Sequence, residues 1–142
     1  MNLVLDASVA LGWCIRRVDS DEAALVESAL QAVAEHGAEV PALWYLEVAN
    51  TLLVLERARR VGREEADRYL EDLRELAIRE DARSAGGGQA EVIALGRAYG
   101  LPAYDASYLE IALRRDAAVA TLDRKLAVAC RAAGVRVFGD GA

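Results

Sequence analysis

Short, mostly apolar segments of two to five residues, alternating with longer stretches of helical period, constrain this chain more than any other feature. Leu3-Val4-Leu5, Glu39-Val40, Ala117 to Thr121 and Val135-Arg136-Val137-Phe138 read as short buried strands. Ile78 to Arg83 is a further strand candidate, though an unusually polar one. Between them lie helical segments. A short one runs from Asp6-Ala7-Ser8 through Cys14. A longer one opens at Asp19-Ser20-Asp21-Glu22, capped by Asp19 or Ser20, and stops at Gly37. Others run from Leu43 to Arg60, Arg63 to Ala77, Gln89 to Tyr99, Pro102 through Arg114, and Asp123 to Ala133. Parallel strands need such crossovers, so the pattern predicts an α/β domain, an α/β/α sandwich with a mainly parallel central sheet of four or five short strands. At 142 residues the whole chain, 1–142, fits a single domain.

Composition excludes several classes. With 54% hydrophobic and 28% charged residues the chain is not disordered. No uncharged apolar run approaches the roughly 18 residues of a membrane span; the longest, Val40 to Leu55, is broken by Glu47. The start lacks a basic leader, and Asp6 falls where a signal peptide stays apolar, so the expected location is cytoplasmic, with no membrane contact. Cys14 and Cys130 stand apart and His36 is the single histidine, which excludes a Cys/His zinc site and leaves triad chemistry without a well-placed base. Both thiols read as small buried groups, and His36 as a helix-end residue. Gly86-Gly87-Gly88 lacks the lysine and spacing of a phosphate loop. A net charge of -6 makes the chain a poor non-specific nucleic-acid binder. Carboxylates that hold metal ions lower that formal charge while the ions restore it locally.

Four acids fall where stability does not ask for them. Asp6 ends the first strand and Asp123 follows another, so the open-sheet rule places both at one edge. Asp123 alone reads as a helix cap, and Asp6 shares that option with Ser8. Asp105 occupies the first turn of its helix, where the dipole favours an anion. Glu47 lies in a helix apolar on nearly every turn, with Asn50 and Thr51 on its face; an arginine partner or a narrow exposed stripe is the alternative to a functional role. Gathered at one sheet end, four carboxylates repel one another, and Mg²⁺ or Mn²⁺ relieves that with hard oxygen ligation. The set suits metal-assisted phosphodiester hydrolysis.

Four motifs in order carry a resemblance across nearly the whole chain: Val4-Leu5-Asp6-Ala7-Ser8; Pro41-x-x-Trp44-x-x-Glu47-Val48-x-Asn50-x-Leu52; Tyr104-Asp105-Ala106-x-Tyr108-Leu109-x-x-Ala112; and Ala120-Thr121-Leu122-Asp123-x-x-Leu126. Together they resemble PIN-domain proteins, most closely VapC-type toxins of toxin–antitoxin pairs. The resemblance implies a PIN-like sandwich and a Mg²⁺- or Mn²⁺-dependent endoribonuclease whose acidic metal site is Asp6, Glu47, Asp105 and Asp123. Ser8, Asn50 and Thr121 match the supporting polar positions. It further implies a homodimer, a VapB-type antitoxin partner, and structured RNA such as tRNA or rRNA as substrate. The polar stretch Arg79 to Arg83 departs from the pattern, since relatives carry an apolar strand there.

Two other readings stay open: a non-enzymatic interaction module on the same fold, and a phosphatase-like hydrolase using Asp6 as nucleophile, although Ser8 stands where that class wants a second Asp. Arg57, Arg59, Arg60 and Arg63, with Arg16-Arg17, are candidates for phosphate contact or a solvated basic face; Arg59 and Arg63 are the RNA-binding candidates. Trp13, Trp44, Tyr45 and Leu52 to Leu55 supply more apolar surface than one small core requires, enough for a dimer mate or an antitoxin helix.

Overall fold

A computed structural model describes residues 1–15 and 19–141, so the Arg16-Arg17 pair lies outside the described residues. Among them the chain forms β1 (Leu3–Leu5), α1 (Ala7–Gly12), α2 (Ser20–His36), β2 (Ala38–Val40), α3 (Leu43–Arg57), α4 (Arg63–Arg74), β3 (Ile78–Glu80), a single 3-10 turn (Ala82–Ala85), α5 (Gln89–Tyr99), α6 (Ala103–Arg115), β4 (Ala118–Ala120) and α7 (Arg124–Ala132). Four parallel strands in the order β3-β2-β1-β4 make the central sheet of a PIN-like α/β/α sandwich. β1 and β4 pair over three positions, from Leu3 with Ala118 to Leu5 with Ala120. All six of those side chains are buried. Removing a Leu or Val from water stabilises by roughly 1.5–3 kcal/mol, so strands this short rest on burial rather than on ladder length.

The strand order carries a functional consequence. From β1 the chain winds one way to β2 and β3, then returns to lay β4 on the other side of β1. The reversal opens a crevice beyond the carboxyl ends of β1 and β4, where ligands of open α/β sheets bind.

Most expected elements form, and the differences have identifiable causes. Asp19, not Ser20, caps α2, accepting from the backbone N–H of Asp21 and Glu22 at 2.9 and 3.0 Å. α4 stops at Arg74 because the chain must reach the sheet, where the Ala77 carbonyl accepts from the Ala38 N–H. The fifth strand expected at Val135 to Phe138 reduces to one parallel bridge between Val119 and Val137. Positive-φ glycines at 134 (79°) and 139 (95°) bend the chain on either side and leave no room for a longer ladder. Cys130 is buried as expected, whereas Cys14 is only half-buried.

Two corrections matter more. α3 was expected to be buried over most of its circumference, yet only Trp44, Val48, Leu52 and Leu55 face inward. Leu46 is 75% exposed, and Tyr45, Leu53 and Val54 share the surface. The fold places α3 in an outer layer, so one face meets the core. The polar third strand, in turn, is regular: it is an edge strand, where charged side chains are tolerated. Arg79 pairs across the ladder with Glu39 at 3.1 Å. No helix among the described residues is long and apolar enough to cross a membrane.

Candidate functional site

The site begins where β1 ends. The Asp6 backbone N–H donates to the Ala120 carbonyl at 2.9 Å, which ties the residue to the β1–β4 junction. The residue is 7% exposed. Oδ2 accepts from the Ser8 hydroxyl at 2.7 Å and the Thr121 hydroxyl at 2.6 Å. Both hydroxyls are themselves held: Ser8 Oγ accepts from the Leu122 N–H and Thr121 Oγ1 from the Asp123 N–H, each at 3.0 Å. Burial pushes the Asp6 carboxyl up, the Thr121 and Ser8 hydrogen bonds pull it down, Asp123 pushes it up again, and the net direction is upward.

The other three acids arrive on separate elements. Glu47 sits on the second turn of α3, half-buried, and its Oε1 accepts from the Tyr108 hydroxyl at 2.7 Å. Burial raises its pKa most, Tyr108 lowers it, and the charges of Asp6 and Asp105 raise it further. Asp105 lies in the first turn of α6. It too is raised, first by burial, then by Asp123 and Asp6, with the Lys125 ammonium pulling it back. Asp123 caps α7, its Oδ1 accepting from the N–H groups of Lys125 and Leu126 at 2.8 and 3.2 Å. The capping role is real, and the same side chain still projects its charge onto Asp6 and Asp105. Residues remote in the chain therefore share one electronegative region. None of the four takes part in a described ion pair, because the described pairs join arginines to Glu39, Asp81, Glu91, Glu110 and Asp140 instead.

Among the described residues, no three His, Cys, Asp or Glu side chains stand close enough to form a ready-made metal cage. Four mutually repelling anions have no reason to close up by themselves. The donor set is all oxygen and half to largely buried, and among the described residues none of it is in an ion pair, the Lys125 ammonium being the one cation that acts on Asp105. That fits a hard, hydrated ion such as Mg²⁺, which takes one or two carboxylates and keeps several waters, better than an ion needing a closed cage. A cleft of about 460 Å³ opens beside Thr121 and Asp123, bounded by Leu25, Arg124, Arg131 and Phe138.

The structure does not draw every candidate in. Asn50 is exposed on α3, and no described hydrogen bond links it to the four acids. Arg59 and Arg63 are exposed around the α3–α4 connection, Arg59 with φ 58°. Arg57 lies ten positions beyond Glu47 on α3, about 15 Å along the helix axis, so the basic group sits well away from the acids. Three residues were given no role by the sequence reading, two beside the site and one in a separate ion-pair group. Tyr108 stands three residues after Asp105, a spacing that puts them on one helix face. Burial pushes its hydroxyl far above the usual tyrosine range, so it remains a donor. Lys125 is the only lysine, two residues after Asp123, a position readable from sequence. Asp81, fully buried, was hidden inside the polar strand; its partner Arg114 is betrayed only by the i,i+4 spacing from Glu110.

Searches against protein-family models and curated proteins return no match. Solved structures do match. PAE2754 from Pyrobaculum aerophilum superposes with a TM-score of 0.67 at 23% identity, covering 91% of this chain and 84% of that one. FitAcB from Neisseria gonorrhoeae does so with a TM-score of 0.60 at 18% identity, covering 96% of each. At such identities the likeness is one of fold. Four ordered motifs, a 3-2-1-4 parallel sheet and two neighbours spanning nearly the full length agree, and the chain is a PIN-like α/β/α domain.

Proposed function

We propose that this protein is a divalent-metal-dependent endoribonuclease, the toxin of a toxin–antitoxin pair. One observation carries the reading: four carboxylates from four elements share a region at the sheet's switch point and, among the described residues, enter no ion pair, while Arg114 and Arg115 are taken up by Asp81 and Glu110. The resemblance of the motifs to VapC-type toxins gives this charge its use.

Asp6, Glu47, Asp105 and Asp123 would hold Mg²⁺ or Mn²⁺. Such an ion, when bound, offsets charge on a scissile phosphate and acidifies a water. The protein's own groups do the rest. Ser8 and Thr121 hold Asp6 by one oxygen, and Asp123 is kept in place by capping α7. Asp6, Glu47 and Asp105 are raised, first by burial, which favours proton uptake from an attacking water. The cleft beside Asp123 offers room for a nucleotide next to the cleaved bond, and Arg124 and Arg131 in its wall offer charge to a phosphate. Arg59 and Arg63 extend the RNA contact at a distance. The substrate is structured RNA such as tRNA or rRNA, the setting is the cytoplasm, and the exposed apolar face of α3 serves a second copy of the chain or a VapB-type antitoxin.

The test is cleavage of total RNA with Mg²⁺, with Mn²⁺ and with chelator, comparing the wild type with Asp6→Asn. Cleavage should require the ion and fall by about 10²-fold or more in the variant, with circular dichroism unchanged. Equal cleavage in chelator, or full activity in Asp6→Asn, overturns the reading.

A further inference from the structure

A buried tyrosine needs a partner for its hydroxyl, and a backbone carbonyl is the usual one. Tyr69 follows that habit, donating to the Ala10 carbonyl. Tyr108 does not. It is 1% exposed and comes from the second turn of α6, just beyond Asp105. Its hydroxyl reaches across 61 positions of sequence to donate to Glu47 Oε1 at 2.7 Å. One phenol oxygen thus ties α6 to α3, the two helices that carry Asp105 and Glu47.

The chemistry of the contact matters as much as its reach. Glu47 is half-buried and faces two other anions, so a carboxylate left to itself would turn toward water or protonate. An arginine in place of Tyr108 would hold it but cancel the charge. A phenol donates one hydrogen bond and brings no positive charge, the same service that Ser8 and Thr121 give Asp6. No described hydrogen bond falls on Glu47 Oε2, which keeps one oxygen of the group available.

We infer that Tyr108 is a positioning residue of the metal site, holding Glu47 by one oxygen so that the other is presented with its charge intact. This rests on the metal-dependent reading above. It is tested on the full chain by Mn²⁺ binding, measured calorimetrically, in a double-mutant cycle of Tyr108→Phe and Glu47→Ala. Tyr108→Phe removes one oxygen and keeps the ring, so packing is conserved. It should weaken Mn²⁺ binding about 10-fold or more in the wild-type background and less than about 2-fold once Glu47 is Ala. With RNA, kcat should fall while KM holds. Equal weakening in both backgrounds would make Tyr108 a packing residue, and unaltered Mn²⁺ affinity in Tyr108→Phe would remove it from the site; either result overturns the inference alone. A wild type that binds no Mn²⁺ overturns the metal reading first and the inference with it. Should Tyr108→Phe not fold, Tyr108→Met fills the same space without a hydroxyl and is read against the same outcomes.

Discussion

Two acidic assemblies in this domain begin from the same chemistry and end in opposite states. Asp81, just beyond β3, is 0% exposed and accepts from Arg114 at 2.8 and 3.1 Å and from Arg115 at 2.6 Å. Its Oδ1 also accepts from the N–H groups of Arg83 and Ser84. Burial pushes its carboxyl up, but the two guanidinium groups outweigh that and bring the pKa to about 2. Asp6, just beyond β1 and nearly as buried, is held by hydroxyls, faces other acids and has no ion pair among the described residues, and its pKa goes up. An acid matched by protein cations has its charge consumed by the fold and serves as a clamp, here between the sheet edge and α6. An acid matched by neutral donors keeps its charge for something the chain does not contain. Burial alone does not separate structure from function; the partner does.

Breaking the clamp should have the largest effect on stability. Asp81→Ala takes from Arg115 its described acid partner, leaves Arg114 with Glu110 alone and removes the cap of the 3-10 turn. Removing one partner of a buried pair costs roughly 3–5 kcal/mol, and because both arginines reach solvent the expected loss is about 3 kcal/mol, read from urea unfolding. A loss under about 1 kcal/mol would mean that Asp81 is no clamp.

Supplying the missing cation should sharpen the contrast from the other side. Mn²⁺ at 100 times its Kd should stabilise the wild type by about 2.7 kcal/mol and leave Asp6→Asn unmoved in the same thermal melt. Without metal, Asp6→Asn should melt no lower than the wild type, because it removes a charge that its neighbours oppose. A clear drop would place Asp6 with Asp81 among structural acids.

Titration should split the two assemblies within one curve. The carboxyls of Asp6, Glu47 and Asp105 are raised, so the folded state binds protons more tightly than the unfolded chain, and their contribution is lost as pH rises through the folded values. Metal-free protein should therefore gain stability as pH falls from neutral toward the ordinary carboxylate range. Asp81 is lowered, so its contribution is full above about 4 and is lost as pH falls toward about 2. Stability against pH should rise, then collapse. Asp6→Asn should flatten the rise and leave the collapse; a wild-type curve that falls steadily from neutral pH would contradict the upward shifts.

The smallest effect concerns the distant basic group. If Arg59 and Arg63 each neutralise one RNA phosphate, replacing both should reduce the salt slope of RNA binding by about 1.4, the single-strand value for two contacts. An unchanged slope would leave them a solvated surface.

Much of this was open to a reader of the chain because it is encoded locally. Gln89 to Tyr99 forms with the expected bounds, Leu3 to Leu5 was visible as an apolar run ending at Asp6, and Ala118 to Ala120 forms inside the expected Ala117 to Thr121. Caps, glycine stops and the period of apolar residues act over one turn of chain, so neighbouring residues suffice to read them. Asp6 and Asp123 could be placed at one edge because parallel strands share a direction. What neighbours cannot reveal is which partner a charge meets. Val135 to Phe138 has strand composition, yet the space beside β4 admits one bridge. Glu39 and Glu47 look alike in sequence, but one meets Arg79 across a ladder and the other a phenol 61 positions away. Local pattern determined most of the elements, their order and the positions of the four acids along them. Tertiary packing decided that Asp81 is neutralised while Asp6 is not, that α3 keeps an open apolar face, and that Tyr108 holds Glu47. Electrostatic partnership and burial depend on distance in space, and chain spacing does not contain that distance.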